Sequence, residues 1–234
     1  MRVNIKGLGL LCGVCALLVM SPLQAMDVNI TKTISYVETV HNGKKIKIQR
    51  IQDQENHLGG GYTKTSRKCP PFCVQPLKVD RRVETVGELE VLEFIREKLN
   101  RGTGILIDAR TESWYQKGTI PGSINIPFKT FTDASSDEVK GAALVKLGVK
   151  MLDGAQESSL MDYFSGLFGD YSEVKGNLDF RDAKEIMLWC NGIWCGQSPA
   201  AIHGLLKIGY PPEKMYYYRG GMQAWQSLGL TVVQ

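Results

Sequence analysis

The chain has 234 residues, of which 43% are hydrophobic and 22% are charged. This balance is normal for a folded water-soluble domain and excludes collagen-like, disordered and multi-span membrane chains. The formal net charge is +4, and two of the positive charges, Arg2 and Lys6, lie in a segment that we expect to be removed. The remaining charge of about +2 is too small to indicate nucleic acid or an anionic membrane as a partner.

Residues 1–25 have the pattern of a secretory signal peptide. Arg2 and Lys6 supply a positive start, an apolar run extends from Leu8 to Met20, and the small Ala25 suits the cleavage position. The apolar run is short for a membrane span, although an uncleaved anchor stays open as an alternative. We therefore expect a periplasmic or secreted protein that has no membrane contact after the signal is cleaved.

Residues 26–80 are predicted to form a β-rich N-terminal arm. Two segments of alternating apolar residues flank Asn42 and Gly43, and Asn-Gly between such segments predicts a hairpin. Two prolines and Phe72 separate Cys69 from Cys73 further along. Export permits disulfides, so we interpret these two cysteines as a structural disulfide rather than a catalytic pair.

Residues 81–234 are predicted to form one α/β domain, because strands alternate with helices along this part of the chain. Such alternation is typical of a parallel sheet covered by helices on both faces. The predicted elements are a helix at 86–99 capped by Thr85, strands at 105–107, 124–126, 186–189 and 215–218, and helices at 199–208 and 221–228. Two further helical segments, at 141–151 and 158–168, are predicted within an insert at 129–182.

The segment from Cys190 to Pro199 connects a buried strand to a helix and carries the predicted chemistry. Ser198 is a favourable N-cap and Pro199 a favourable first helical residue. Glycines in the loop let its amides point inward, and amides beside a helix N-terminus stabilise a thiolate. We therefore interpret Cys190 as a nucleophile, although an inert buried thiol is the alternative. The residues predicted to form its substrate-binding loop are Asn191, Gly192, Ile193, Trp194, Gly196, Gln197 and Ser198.

Other polar residues follow the carboxyl ends of predicted strands. Binding and catalytic sites of parallel α/β sheets usually lie at these strand ends. Asp108 and Arg110 follow one strand and Arg219 follows another. We favour a supporting role for Asp108 and Arg110, as a pair that ties loops to the sheet. Arg219 either supports the backbone or reaches over the loop. Trp194 either packs, shields the site or contributes to a docking surface.

Three ordered motifs resemble the rhodanese homology domain. They are IDAR at 107–110 with GTIPGSINIP at 118–127, the loop that begins at Cys190, and YRGGMQAW at 218–225. The resemblance implies an α/β fold around a parallel sheet, and transfer of sulfane sulfur through a persulfide on Cys190. It covers residues 83–234, so the arm lies outside it.

Two departures from the family pattern affect the expected substrate. The loop is long, since Ser198 lies eight positions after Cys190, and it contains no Arg or Lys of the kind that many members use to attract thiosulfate. Gln197 and backbone amides, or Arg219, must then bind the donor. Related phosphatases of this fold need an arginine for phosphate, so we do not expect phosphatase activity.

Cys195 leaves the reaction open, because it lies five positions after Cys190 in the same loop. It either resolves a persulfide, forming a disulfide with Cys190, or only packs. Three functions therefore remain: a sulfurtransferase that uses thiosulfate or a persulfide, a thiol-disulfide redox protein or sulfur carrier, and a non-catalytic binding module. The expected partners are a small sulfur compound, a protein thiol acceptor or a periplasmic redox protein. We expect no cofactor and no metal, because the histidines lack metal-binding spacing.

Overall fold

A computed structural model describes residues 27–151 and 178–234 of the chain. The predicted signal segment and the helix predicted at 158–168 lie outside the described residues. Among the residues described, no helix is both long enough and apolar enough to cross a membrane.

A five-stranded sheet forms the centre of the fold, and every neighbouring pair of its strands is parallel. Its order is β3-β9-β8-β4-β5. The strands are β3 (Glu84–Val86), β4 (Gly104–Asp108), β5 (Ile124–Asn125), β8 (Glu185–Trp189) and β9 (Met215–Tyr218). Strand β8 is central, so the residue that follows it lies in the middle of one edge of the sheet. The predicted parallel α/β architecture is confirmed.

Helices cover both faces of this sheet. The helices are α1 (Glu88–Phe94), which continues as a π-helical turn (Ile95–Leu99), α2 (Glu112–Tyr115), α3 (Asp137–Lys146), α4 (Gln197–Ile208) and α5 (Gly221–Ser227). Short 3-10 turns occupy Gly60–Thr63, Phe128–Phe131 and Pro212–Lys214. Apolar side chains of α3 and α4 pack on one face, and those of α1 and α5 pack on the other. Burial of these two clusters is the main stabilising contribution to the domain.

The predicted N-terminal hairpin is also confirmed. Strands β1 (Tyr36–His41) and β2 (Lys44–Gln49) are antiparallel, and Asn42 and Gly43 between them both have positive φ, as a tight two-residue hairpin turn requires. Val37 and Ile48 join the α1/α5 core, and Arg50 bridges to Leu230 near the C-terminus. The hairpin is therefore packed onto the domain.

Three local predictions were wrong. Thr85 does not cap α1: it lies in β3 and its hydroxyl donates to the Leu77 carbonyl, while the Glu90 carboxylate accepts from the Gly87 amide at the helix start. The helix predicted at 141–151 is α3. It begins earlier, at Asp137 after the capping residue Ser136, and it ends at Lys146. Residues 150–151 instead form β6 (Lys150–Met151), antiparallel to β7 (Leu178–Asp179).

The third error concerns the start of α4. Ser198 is not the N-cap, because the helix begins at Gln197 after Gly196. The Ser198 hydroxyl donates to the sulfur of Cys190 instead.

Candidate active site

Cys190 lies directly beyond the central strand β8, under the first turn of α4. Side chains alternate along a strand, and Ile186 and Leu188 face the side of the sheet that α4 covers. Cys190 continues this alternation, which directs its side chain toward the helix start. Its exposed fraction is only 2%. The loop at residues 190–198, called here the Cys190 loop, therefore encloses its own cysteine.

Several donors converge on the Cys190 sulfur. The Ser198 Oγ donates to Sγ at 3.0 Å, and the main-chain amides of Gly192 and Ser198 also bond to it. The Cys190 Sγ lies 3.3 Å from the carbonyl oxygen of Cys195, to which a protonated thiol donates. Burial raises the pKa of the Cys190 thiol, but hydrogen bonds from Cys195, Ser198 and the amides outweigh burial and lower the pKa to about 7. A large fraction of Cys190 is then thiolate near neutral pH.

Cys195 has the opposite character, although it lies in the same loop. Its hydrogen bond to Cys190 raises its pKa, and burial and the negative charge of a Cys190 thiolate raise it further. Its Sγ also lies 3.7 Å from the Gln197 Oε1. The structure therefore brings the two cysteines together as an acidic thiol and a thiol that stays protonated.

The turn between β9 and α5 closes tightly on the end of β8. The amide of Met222 donates to the Cys190 carbonyl at 2.9 Å, and the amide of Gln223 donates to the Asn191 carbonyl at 3.0 Å. Gly221 has φ +56°, and a Cβ at this position would lie 2.2 Å from the Cys190 carbonyl oxygen. Only glycine allows this approach, which explains the second glycine of the YRGG motif.

Asp108 and Arg110 form a buried ion pair at the neighbouring strand end, with exposed fractions of 0% and 1%. The Arg110 guanidinium donates to both oxygens of Asp108, and the Thr119 hydroxyl donates to Asp108 at 3.0 Å. Arg110 Nη1 also lies 3.4 Å from the Asn191 Oδ1. The pair thus links β4 to the Cys190 loop and does not touch the sulfur through any of these contacts.

The arm lies over the Cys190 loop. The amide of Gln75 donates to the Ile193 carbonyl at 2.8 Å, and the Tyr62 hydroxyl donates to the Asn191 Oδ1 at 2.9 Å. Phe72 packs edge-on against Trp194, with ring centroids 5.5 Å apart. These contacts hold an otherwise exposed segment of the arm against the loop that encloses the sulfur.

Two cations strengthen this contact between the arm and the loop. The Arg67 guanidinium lies 4.0 Å over the Trp194 ring, a cation–π arrangement. Arg219, which was expected either to support the backbone or to reach over the loop, donates to the carbonyls of Gln75 and Pro76. Arg219 therefore anchors the arm at the end of β9.

The remaining site predictions concern Cys69, Cys73 and metal binding. Cys69 and Cys73 are joined by a disulfide, with their Cα atoms 4.7 Å apart, in the part of the arm that carries Phe72. Within residues 27–151 and 178–234, no three His, Cys, Asp or Glu side chains are grouped so that they could hold a metal ion.

Sequence reasoning missed three residues around the Cys190 loop. Tyr62 and Gln75 lie in the arm, more than one hundred positions before the loop in the chain, and nothing local to them indicates the contact. Tyr217 lies in β9, where its pattern is that of any buried strand residue. The strand register in the folded structure reveals the contact, because it pairs Tyr217 with Leu188, two residues before Cys190.

The comparison with protein families matches residues 92–228 to the family described as the rhodanese-like domain. The chain belongs to this family. The match includes β4, β8, the Cys190 loop and all of α5, so the matched region contains both cysteines of the site. The arm, including Tyr62 and Gln75, precedes the matched region. No match was found among curated proteins.

Solved structures similar to this rhodanese-like domain include the human single-domain sulfurtransferase TSTD1, at 19% identity, with 62% of this chain and 96% of that chain covered and a TM-score of 0.35. A rhodanese-related protein from Thermoplasma volcanium has 18% identity, 64% and 97% coverage and a TM-score of 0.33. A protein from Rhodopseudomonas palustris described as a possible tyrosine phosphatase has 14% identity, 66% and 88% coverage and a TM-score of 0.38.

Proposed function

We propose that this rhodanese-like protein is a sulfurtransferase in which Cys190 carries sulfane sulfur as a persulfide. The observation that carries the proposal is the ring of donors around the Cys190 sulfur, which lowers the thiol pKa to about 7. A thiolate that is populated at neutral pH attacks an electrophilic sulfur readily. In a persulfide the negative charge lies on the outer sulfur, about 2 Å beyond Sγ, and the amides of the same loop are the nearest donors that could stabilise it.

The proposed reaction has two displacement steps and needs no external oxidant. The Cys190 thiolate attacks the sulfane sulfur of thiosulfate or of a persulfide donor, and sulfite or the donor thiolate leaves with the electron pair. An acceptor thiolate or cyanide then attacks the outer sulfur. Cys190 leaves as a thiolate, which returns the site to its starting state.

The test is formation of thiocyanate from cyanide and each sulfur donor by the reduced protein. The native chain is expected to turn over with at least one donor, and Cys190→Ser is expected to be inactive. Ser227→Ala is the matched control, because Ser227 lies in α5 and its hydroxyl donates only within that helix. Turnover by Cys190→Ser at the native rate would overturn the proposal.

A second candidate function is a dithiol–disulfide cycle between Cys190 and Cys195. The observation that favours it is the proximity of the two thiols: the Cys190 Sγ lies 3.3 Å from the Cys195 carbonyl oxygen, and Cys190 raises the pKa of Cys195. After deprotonation, the Cys195 sulfur would attack the inner sulfur of a Cys190 persulfide, forming a disulfide and expelling hydrosulfide. If this step is obligatory, Cys195→Ser accumulates persulfide without turnover; if Cys190 acts alone, Cys195→Ser retains sulfur transfer.

The proposal includes an exported location. The signal-like pattern at 1–25 and a disulfide between Cys69 and Cys73 both suit an oxidising compartment. The partners proposed there are a small sulfur donor and a protein thiol or redox protein. Separating the cell compartments and measuring the mass of the mature chain tests this, since cleavage after Ala25 predicts a chain that begins at Met26.

A further inference from the structure

Strand β9 carries three consecutive tyrosines, and only the middle one has an unsatisfied hydroxyl. Tyr216 donates to Glu185 at 2.9 Å, and Tyr218 donates to Glu88 at 3.0 Å. The Tyr217 hydroxyl is buried and has no partner at good hydrogen-bond geometry among the described residues, although the Ser198 hydroxyl lies close to it. The exposed fraction of Tyr217 is 0%. A buried unsatisfied hydroxyl is unfavourable, and a phenylalanine would fill this space without that penalty.

The strand register places Tyr217 beside the cysteine site. Tyr217 pairs with Leu188 in β8, and both side chains belong to the core on the α4 face of the sheet. Cys190 lies two residues beyond Leu188 and therefore continues on the same face. The phenol therefore lies on the same face of the sheet as the Cys190 side chain.

Electrostatics agree with this placement. Burial raises the pKa of the Tyr217 phenol, and the negative charges of Cys190 and Cys195 thiolates raise it further, whereas Arg219 and the nearby Ser198 hydroxyl lower it. The phenol therefore lies within electrostatic range of the Cys190 sulfur. The other charged or titratable group near both side chains is Cys195. Farther out lie Tyr62 and the Asp108–Arg110 pair. The charges of Asp108, Arg110 and Cys195 all act on the pKa of the Tyr62 hydroxyl.

We infer that Tyr217 is a positioning residue whose hydroxyl is held for the charged sulfur of Cys190. When Cys190 is a neutral thiol, its own proton bonds to the Cys195 carbonyl and the phenol has no partner. When Cys190 ionises, the sulfur becomes an acceptor. The phenol then donates to it, either directly or through the Ser198 hydroxyl that already donates to this sulfur. The Cys190 thiolate thus accepts a hydrogen bond from a phenol hydroxyl that has no partner while the thiol is neutral.

This inference deepens the proposed function and rests on it, because the Cys190 thiolate that the phenol stabilises is the nucleophile of the proposed first step. It does not depend on sulfur transfer for its test, since the ionisation of Cys190 can be measured directly. The role assigned to Tyr217 also differs from a structural one. A purely structural tyrosine stabilises the fold, whereas this hydroxyl is expected to add nothing to the stability of the protein with a neutral thiol.

The experiment compares Tyr217→Phe with Tyr216→Phe in the full mature chain, with the arm disulfide intact. The rate of iodoacetamide alkylation at Cys190 is measured from pH 5 to pH 10 and assigned by peptide mass mapping, which separates Cys190 from Cys195. Unfolding by urea is measured at pH 5, where Cys190 is protonated. Tyr216 is a matched control, because its hydroxyl is partnered and bonds to Glu185, at the opposite end of β8 from Cys190.

Tyr217→Phe is expected to raise the midpoint of the alkylation profile by about one pH unit, which lowers the rate below the midpoint about tenfold. It is expected to leave stability at pH 5 unchanged or higher. Tyr216→Phe is expected to lower stability and leave the profile unchanged. An unshifted profile in Tyr217→Phe, or a loss of stability without a shift, would overturn the inference. If the native chain accepts no sulfur from any donor but the shift is observed, the proposed function fails and the role of Tyr217 stands.

Discussion

Substituting Ser198 by alanine tests the donor role that the structure shows against the N-cap role expected from the sequence. As an N-cap it would stabilise α4, and its loss would lower the free energy of unfolding by about 1 kcal/mol. As a donor to the Cys190 sulfur at 3.0 Å, its loss removes a hydrogen bond that is weak when Cys190 is a neutral thiol and strong when it is a thiolate. Stability at neutral pH, where the thiolate is populated, therefore does not distinguish the two roles. The pKa of Cys190 does, because only the second role acts on the charged sulfur.

The expected shift follows from the hydrogen bonds in the site. A hydrogen bond to a charged group contributes about 1.5 kcal/mol, which corresponds to about one pH unit. The pKa of Cys190 should therefore rise from about 7 to about 8 in Ser198→Ala. Below both values the thiolate fraction, and with it the alkylation rate, falls about tenfold. Well above both values the two proteins carry the same thiolate and should react at the same rate.

The assay is the pH dependence of iodoacetamide alkylation at Cys190, followed by mass mapping. Ser227→Ala, which removes a helical serine remote from the site, should retain the native profile. A Ser198→Ala profile that overlays the native one would refute the assignment of Ser198 as a donor to the sulfur. A rate reduced equally at every pH would refute it as well, because that result indicates altered access rather than altered ionisation.

Three further predictions concern stability and access. The free energy of unfolding of the reduced domain should rise by about 1.3 kcal/mol from pH 7 to pH 8.5 relative to Cys190→Ser, because folded Cys190 ionises near pH 7 whereas an unfolded thiol ionises at about pH 8.5; urea titrations at several pH values measure this difference. Arg110→Met should destabilise the domain by about 3–5 kcal/mol, because it leaves the Asp108 carboxylate buried without its ion pair; a loss below about 1 kcal/mol in urea unfolding would contradict the assignment. Phe72→Ala removes the contact between the arm and Trp194, so alkylation of Cys190 at pH 9, where the thiolate is fully formed, should become several-fold faster. An unchanged rate would show that the arm does not limit access to the sulfur.

The fold was predictable because its signals are local. Asn42 and Gly43 between two alternating segments specify a hairpin turn without help from the rest of the chain. Both β4 and β8 are continuous buried segments in the sequence. Strand β4 ends at the polar Asp108, and β8 is followed directly by Cys190. Functional residues of a parallel sheet commonly lie at this edge, beyond the carboxyl ends of its strands. Helix boundaries were less predictable. A threonine before an apolar run can cap a helix, but Thr85 pairs with β9 instead, since tertiary contacts outweigh a single capping preference.

The site was predictable only in part. The position of Cys190 and the character of its loop follow from neighbouring residues. The partner of the Ser198 hydroxyl does not, because an N-cap and a donor to sulfur differ by a small displacement of the helix start. The contacts of Tyr62 and Tyr217 depend on how distant segments are brought together. A sequence without an alignment contains no local signal for either.

The most direct test of the central claim is the intact mass of the reduced mature protein after incubation with thiosulfate and, separately, with a persulfide donor. The account predicts that at least one donor adds the mass of a single sulfur atom. Cyanide should remove this sulfur, and Cys190→Ser should not acquire it. If neither donor adds sulfur to the reduced native chain, or if Cys190→Ser gains it equally, Cys190 is not the sulfur carrier and the proposed function is wrong.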